Sequence, residues 1–193
     1  GDLLPRGRYV FAAAGGCGCH TEPGKASTGL NAGGRRLDVP FGTVYSTNIT
    51  PDRATGIGTW TDDQIIAAIR IGRRPSGERI LPVHHFMTFD GMAEEDLRAL
   101  VAYLRSLPAI ARANQPNRIT VPLFESVFLP AWLAVFAPKE IPPPRAPTSG
   151  LARGEYLVRA VSHCGECHTP RGVTQAVDNS RFLAGNAAGP EKS

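Results

Sequence analysis

The chain has 193 residues, of which 42% are hydrophobic and 20% charged, enough apolar content to bury a core in one large or two small domains. Its net charge of +4 is spread over dispersed arginines, with Arg35-Arg36 and Arg73-Arg74 the close pairs and no aromatics interleaved, so a nucleic-acid stacking surface is excluded. No apolar run has the length of a bilayer span, and 21 Gly with 17 Pro predict long loops between few helices.

Residues 6–21, RGRYVFAAAGGCGCHT, recur as residues 153–169, RGEYLVRAVSHCGECHT. Arg-Gly-x-Tyr opens both copies, an apolar helical stretch follows, and the first Cys stands 11 residues after the Arg in each. In the second copy, Cys164-Gly165-Glu166-Cys167-His168 has the spacing for covalent haem attachment. The two thiols add to the two vinyl groups, and the adjacent imidazole becomes the proximal iron ligand. A zinc knuckle would need a second ligand pair at finger spacing, and a redox dithiol would follow a strand, whereas residues 153–163 read as helix.

The first copy is one residue shorter between its cysteines, with Gly18 alone separating Cys17 from Cys19. Cys19 and His20 keep the adjacency that sets a thioether beside the proximal imidazole. For Cys17 to reach the second vinyl the loop must turn tightly, which Gly15, Gly16 and Gly18 permit. A haem held by Cys19 alone, a free or modified Cys17, and a zinc or disulfide set drawn from all four cysteines are the alternatives. Two covalently attached haem c groups are the expectation.

Residues 21–60 carry many turn formers and little periodicity, as an extended loop around a haem face would, with a short strand or extended backbone at 43–48. Thr61-Asp62-Asp63-Gln64 forms a capping box, Ile65, Ile66 and Ile69 give the following helix an apolar face, and Gly72 ends it. Residues 73–89 return to loop. A last helix of this unit then places Leu97, Leu100, Val101 and Leu104 on one face.

The run Pro40-Phe41-Gly42-Thr43-Val44-Tyr45-Ser46-Thr47-Asn48-Ile49-Thr50-Pro51-Asp52, with Thr55-Gly56-Ile57-Gly58-Thr59-Trp60 after it, strongly resembles the haem domains of di- and tri-haem cytochrome c subunits. Those subunits belong to bacterial membrane-associated dehydrogenases of the alcohol and gluconate type. Asp96 to Pro108 resembles the closing helix of such domains, and Cys164 to Arg171 resembles their haem motif. The short first motif departs from the pattern. The resemblance implies that Tyr45, Asn48, Ile49 and Trp60 line or buttress the haem, a role that overlaps with ordinary core packing.

A methionine thioether is the usual partner of histidine in electron-carrying cytochromes c, and the chain has two, Met87 and Met92. Met92 is the favoured sixth ligand of the first haem, because it precedes the closing helix where the resembling domains commonly carry methionine. Met87 comes second. His84 and His85 complicate the choice, since some related domains have a methionine near position 84 and either imidazole can ligate iron.

Residues 120–136 hold a cluster of large apolar groups, interrupted by Glu125 and Pro130, that reads as packing between two haem domains or as a docking face. Lys139 to Gly150, with Pro142-Pro143-Pro144, reads as a stiff linker. The domains expected are 1–110 (first haem domain), 111–150 (connector) and 151–193 (second haem domain). After His20, 72 residues lead to Met92, but only 25 follow His168, with no methionine and no closing helix. The second haem domain reads as incomplete.

The fold expected is mainly α: tandem class I-type cytochrome c domains with long haem-wrapping loops, the second truncated. Electron relay follows, from a dehydrogenase subunit or another redox protein to a cytochrome, a quinone or an oxidase. Covalent haem assembly implies the periplasm, the start at Gly1 fits a processed chain, and peripheral membrane association stays open. The rival expectation is a dihaem enzyme acting on a small sulfur compound or peroxide at an open haem, against which stands the absence of a convincing acid–base pair beside either motif.

Overall fold

Local sequence signals set some of the helix ends. α1 (Leu3–Ala13) begins where the Asp2 carboxylate accepts the Leu4 N–H at 3.2 Å. A short α2 (Ala26–Gly29) follows the first cysteine–histidine motif, and β1 (Arg36–Val39) pairs with β2 (Gly42–Tyr45) as an antiparallel hairpin in which Leu37 faces Val44. The molecule, described by a computed structural model over residues 2–16, 18–137 and 145–186, continues with α3 (Asp62–Ile71). There the expected capping box is present: Gln64 N–H donates to Thr61 and the Gln64 side chain accepts from the Thr61 N–H. Gly72 closes α3 in the left-handed conformation at φ 62°.

A four-residue α4 (Phe86–Phe89) interrupts the loop that follows, and α5 (Glu94–Ser106) carries three acidic residues in its first turn, where the helix dipole favours them. β3 (Arg118–Ile119) adds to the free edge of β2, giving the order β1-β2-β3. A π-helical turn at Phe124–Phe128 runs into α6 (Leu129–Phe136), with Pro130 in the first turn, where its missing N–H costs nothing. α7 (Gly150–Tyr156) passes into a second π-helical segment, Leu157–Val161, and the second motif forms α8 (Cys164–His168).

Two apolar clusters hold these elements together. The larger joins α1, α3 and α5 through Val10, Ile65, Ile66, Leu97, Leu100, Val101 and Leu104, and takes in Ala160 and Val161 of the second repeat. α1 crosses α5 so closely that a Cβ on Gly7 would stand 2.0 Å from the Ala99 carbonyl oxygen. The smaller cluster seats Leu129 and Leu133 of α6 against Val44, Leu81 and Phe86.

Asp96 ties the two repeats to one helix. Its carboxylate, with no exposed surface, accepts from Arg6 Nε at 2.6 Å, from the Tyr156 hydroxyl at 2.8 Å and from Arg153 Nη1 at 3.4 Å. Arg6 and Arg153 are the equivalent first residues of the repeated segment. The Tyr156 hydroxyl also accepts the N–H of Ala93, the N-cap residue of α5, at 3.0 Å, the N–H that an N3 side chain takes in a capping box.

The mainly helical expectation matches this architecture. The three-stranded sheet extends the single short strand expected at 43–48. The apolar cluster of 120–136 packs inward through Leu129 and Leu133, and the Trp132 indole donates to the Thr174 carbonyl at 2.8 Å, touching the second repeat. Leu123, Val127, Phe128 and Val135 stay exposed. Half of the expected Pro-rich linker, 139–144, lies outside the described residues. Among the described residues, no helix is long and apolar enough to cross a membrane.

Candidate haem site

A cavity of about 260 Å³ opens between α1, the loop of residues 45–60, α3 and the loop after α3, and its wall is largely apolar. Phe11, Val44, Ile49, Ile57, Trp60, Ile65, Leu81 and Leu100 are among its lining residues. Cys19 and His20 face the same space. The His20 ring is fixed by a 2.8 Å hydrogen bond between Nδ1 and the Thr47 carbonyl, so Nδ1 carries the proton and Nε2 keeps its lone pair. Burial lowers the His20 pKa, against the opposing pull of the Thr47 carbonyl, and keeps the ring neutral. An imidazole oriented from behind by a carbonyl is the arrangement of a metal-bound histidine.

Tyr45, Asn48, Ile49 and Trp60 all lie along the cavity. Asn48 acts as a staple: its amide donates to the Ile110 carbonyl at 2.8 Å, its carbonyl accepts from the Thr50 N–H at 2.9 Å, and its own N–H donates to Asn114 at 2.7 Å. Tyr45 is tied by its N–H to Asn117, and the Trp60 carbonyl accepts from Arg105 at 2.7 Å. Residues 110–117 therefore strap the wrapping loop from outside, a role with no pattern of its own in the sequence.

The loop after α3 brings His84, His85 and Met92 to the cavity. Met92 is fully buried among the residues of the larger cluster, whereas Met87 packs against the smaller one and is not part of the cavity wall. Burial above all, with the Arg74 guanidinium nearby, pushes the His84 pKa down to about 3, so this ring is neutral. Arg74 also reaches the cavity, with its Nε 3.6 Å from the Glu78 carboxylate. The donor set fits a haem: a pre-oriented imidazole beside a thiol, apolar walls, a guanidinium at the rim and further side chains with ligating atoms on the neighbouring loop.

Cys17 lies outside the described residues. Cys19, Cys164 and Cys167 are free thiols, and among the described residues no three His, Cys, Asp or Glu side chains are grouped to hold a bare metal ion.

Around the second motif the backbone repeats the first. In the first copy the His20 carbonyl accepts the Gly33 N–H at 2.7 Å, and Thr21 Oγ1 accepts the Asn31 N–H at 3.0 Å. In the second, the His168 carbonyl accepts the Gly185 N–H at 2.8 Å, and Thr169 Oγ1 accepts the Leu183 N–H at 3.0 Å. Asn31 and Leu183 are both left-handed, at φ 63° and 60°, as are Gly33 and Gly185 at 75° and 90°. The Ala-Gly at 32–33 and 184–185 is the sequence signal for this return loop. The His168 ring is exposed, and no carbonyl among the described residues takes the place of Thr47.

The two sites meet at Glu166, one of the two residues between the cysteines of the second motif. Its carboxylate accepts from Thr88 at 2.8 Å and from Arg171 at 2.6 Å, and lies 3.7 Å from the His85 ring. Burial works to raise its pKa, but His85, Thr88 and Arg171 together hold it at about 2. His85 also stacks on His163, with ring centres 4.4 Å apart, and both rings line the first cavity.

No family model matches the chain. Individual relatives do. The chain is 39% identical over 196 residues to the gluconate 2-dehydrogenase cytochrome c subunit of Pantoea cypripedii, covering 96% of itself and 44% of that protein. It is 38% identical to the cytochrome c subunit of the quinone-type alcohol dehydrogenase of Gluconobacter oxydans (strain 621H), covering 96% of itself and 39% of that subunit. It is 37% identical to a "diheme cytochrome c-type" protein of Cereibacter sphaeroides, covering 93% of itself and 62% of the relative. The chain thus spans less than half the length of the first two. Through nearly its whole length, and with two cysteine–histidine motifs, the chain is therefore similar to cytochrome c subunits of gluconate and alcohol dehydrogenases.

Proposed function

We propose that the chain carries two covalent haem c groups and relays single electrons within a dehydrogenase complex. The observation that carries this reading is His20, adjacent to Cys19, held by Thr47 with its free nitrogen available to an apolar cavity. His20 is the proximal ligand of the first haem and His168 of the second, with thioethers to Cys19, Cys164 and Cys167 and the contribution of Cys17 decided by the turn at Gly18. Haem bound in these sites supplies a ferric/ferrous couple whose potential depends on axial ligand and burial.

The chain's own residues bind, orient and exclude water. Ile49, Ile57, Trp60 and Leu100 keep the first site dry, Asn48 holds the wrapping loop closed, and Arg74 pairs with a propionate. His84 and Met92, which reach the cavity from the loop after α3, are further side chains that would hold the iron. Haem domains at 1–110 and 151–193, joined by a connector at 111–150, follow from the repeated motif and its repeated return loop.

The relatives' names support a dehydrogenase subunit as the electron donor; in this reading a cytochrome, a quinone or an oxidase is the acceptor, on the periplasmic side and in peripheral contact with the membrane. The test is carbon monoxide binding to the reduced protein, matured in a host that attaches haem c. A six-coordinate relay at the first site leaves that haem's spectrum unchanged, and a donor dehydrogenase with its substrate reduces the protein. Rapid carbon monoxide binding at the first haem, together with turnover of peroxide or a sulfur compound, would replace this reading with the dihaem enzyme.

A further inference from the structure

We infer that His84, and not Met92, is the sixth ligand of the haem held by Cys19 and His20, so that this iron sits between two imidazoles. The inference rests on the reading that the first cavity holds a haem.

Three side chains with ligating atoms reach the cavity from the loop after α3, and their surroundings differ. Met92 has no exposed surface and packs in the apolar cluster of α1, α3 and α5, where a thioether needs no partner. Its backbone is also committed, with its N–H on the Phe89 carbonyl and its carbonyl accepting from Arg70 at 3.0 Å. His85 is engaged by the second repeat, stacked on His163 and 3.7 Å from Glu166.

The Nδ1 atoms of His84 and His85 are both buried without a hydrogen-bond partner among the described residues, but His85 Nδ1 lies 3.7 Å from the Glu166 carboxylate, which leaves His84. The His84 ring stands 6.4 Å from the Phe86 ring and 5.6 Å from the Phe89 ring, centre to centre, and the backbone N–H of His84 donates to the Leu81 carbonyl at 3.0 Å. Its Nδ1 is shut off from solvent and has no hydrogen-bond partner among the described residues. A buried imidazole nitrogen left without a partner, at a cavity that also holds the His20 ring, calls for a group that takes a nitrogen lone pair. Haem iron is that group, and two imidazoles set a lower potential than an imidazole and a thioether.

The test uses the haem-loaded chain and three variants: Met92→Leu, His84→Met and His84→Ala. Electron paramagnetic resonance of the oxidised protein, near-infrared absorption and potentiometric titration read the axial ligands directly. Met92→Leu should leave the low-spin signal and potential of the first haem unchanged. His84→Met should shift that potential upward and add a thioether–iron charge-transfer band. His84→Ala should turn that haem high-spin and open to carbon monoxide, with added imidazole restoring the low-spin spectrum.

A thioether–iron band on the first haem of the unmodified protein that disappears in Met92→Leu would overturn the assignment. So would a first haem in His84→Met with unchanged ligand signals and potential, which decides the matter even where His84→Ala fails to fold. Mass spectrometry of the peptide containing Cys19 separates the two levels: without haem on that peptide the underlying reading fails, and with it only the ligand assignment is at stake.

Discussion

Glycine occupies the second position of both repeated segments, yet the structure demands it in one alone, and alanine at Gly7 and Gly154 should therefore have opposite effects. At Gly7 an added Cβ would lie 2.0 Å from the Ala99 carbonyl oxygen and 2.7 Å from Tyr103 Cβ, atoms fixed in the body of α5. Overpacking of this kind costs about 1–3 kcal/mol, and backbone atoms that cannot step aside put this case at the upper end. The better helix propensity of alanine returns at most ~1 kcal/mol, leaving Gly7→Ala less stable by about 1–2 kcal/mol. At Gly154 a Cβ meets nothing within 4 Å, so Gly154→Ala should be neutral or gain up to that same ~1 kcal/mol. Urea unfolding of the haem-loaded protein, followed by far-UV circular dichroism, measures both. Equal stability of Gly7→Ala and the unmodified chain would refute the close α1–α5 crossing. An equal loss in Gly154→Ala would refute the claim that the second repeat lacks the corresponding contact among the described residues.

Asp96→Ala should cost about 2–4 kcal/mol, because removing one partner of a buried ion pair strands the others and the third of Arg6 that is exposed tempers the loss. A double-mutant cycle with Arg6 and with Arg153 should show coupling to both arms of the repeat; no coupling to Arg153 would sink the hub. Glu166 has a folded pKa held below its unfolded one, so its contribution is fully present above pH 4.5 and is lost as the pH falls toward 2. Thermal melts across that window should show a steeper acid-side decline for the unmodified chain than for Glu166→Gln, and superimposable pH profiles would contradict the Thr88–Glu166–Arg171 link.

Features set by neighbours in sequence were the legible ones. The capping box at Thr61–Gln64, the stop at Gly72, the apolar face of α5 and the pairing of cysteine with histidine each depend on spacing along the chain, and the structure carries them as expected. Features that depend on contacts distant in sequence were not legible. Asp96 reads as one of three acidic residues favoured by a helix dipole, and nothing local says that Arg6, Arg153 and Tyr156 converge on it. The two return loops hide their equivalence because 13 residues separate His20 from Gly33 and 17 separate His168 from Gly185, and because leucine stands at 183 in a conformation that asparagine adopts more readily. β1 and β3 are four and two residues long, too short for an alternating pattern to register. At the proposed haem site, the residue types able to ligate iron stand in the sequence, but the choice proposed among His84, His85 and Met92 turns on the surroundings of each side chain, and only packing reveals those.

The most direct test of the account is the haem content of a chain matured in a host that attaches haem c, with Cys164 and Cys167 replaced by serine and His168 by alanine. Pyridine haemochrome analysis with intact mass should find one haem still covalently bound, on the peptide containing Cys19, and two in the unmodified chain. A colourless variant that remains folded would contradict the claim that Cys19, His20 and the cavity oriented by Thr47 form a haem site of their own.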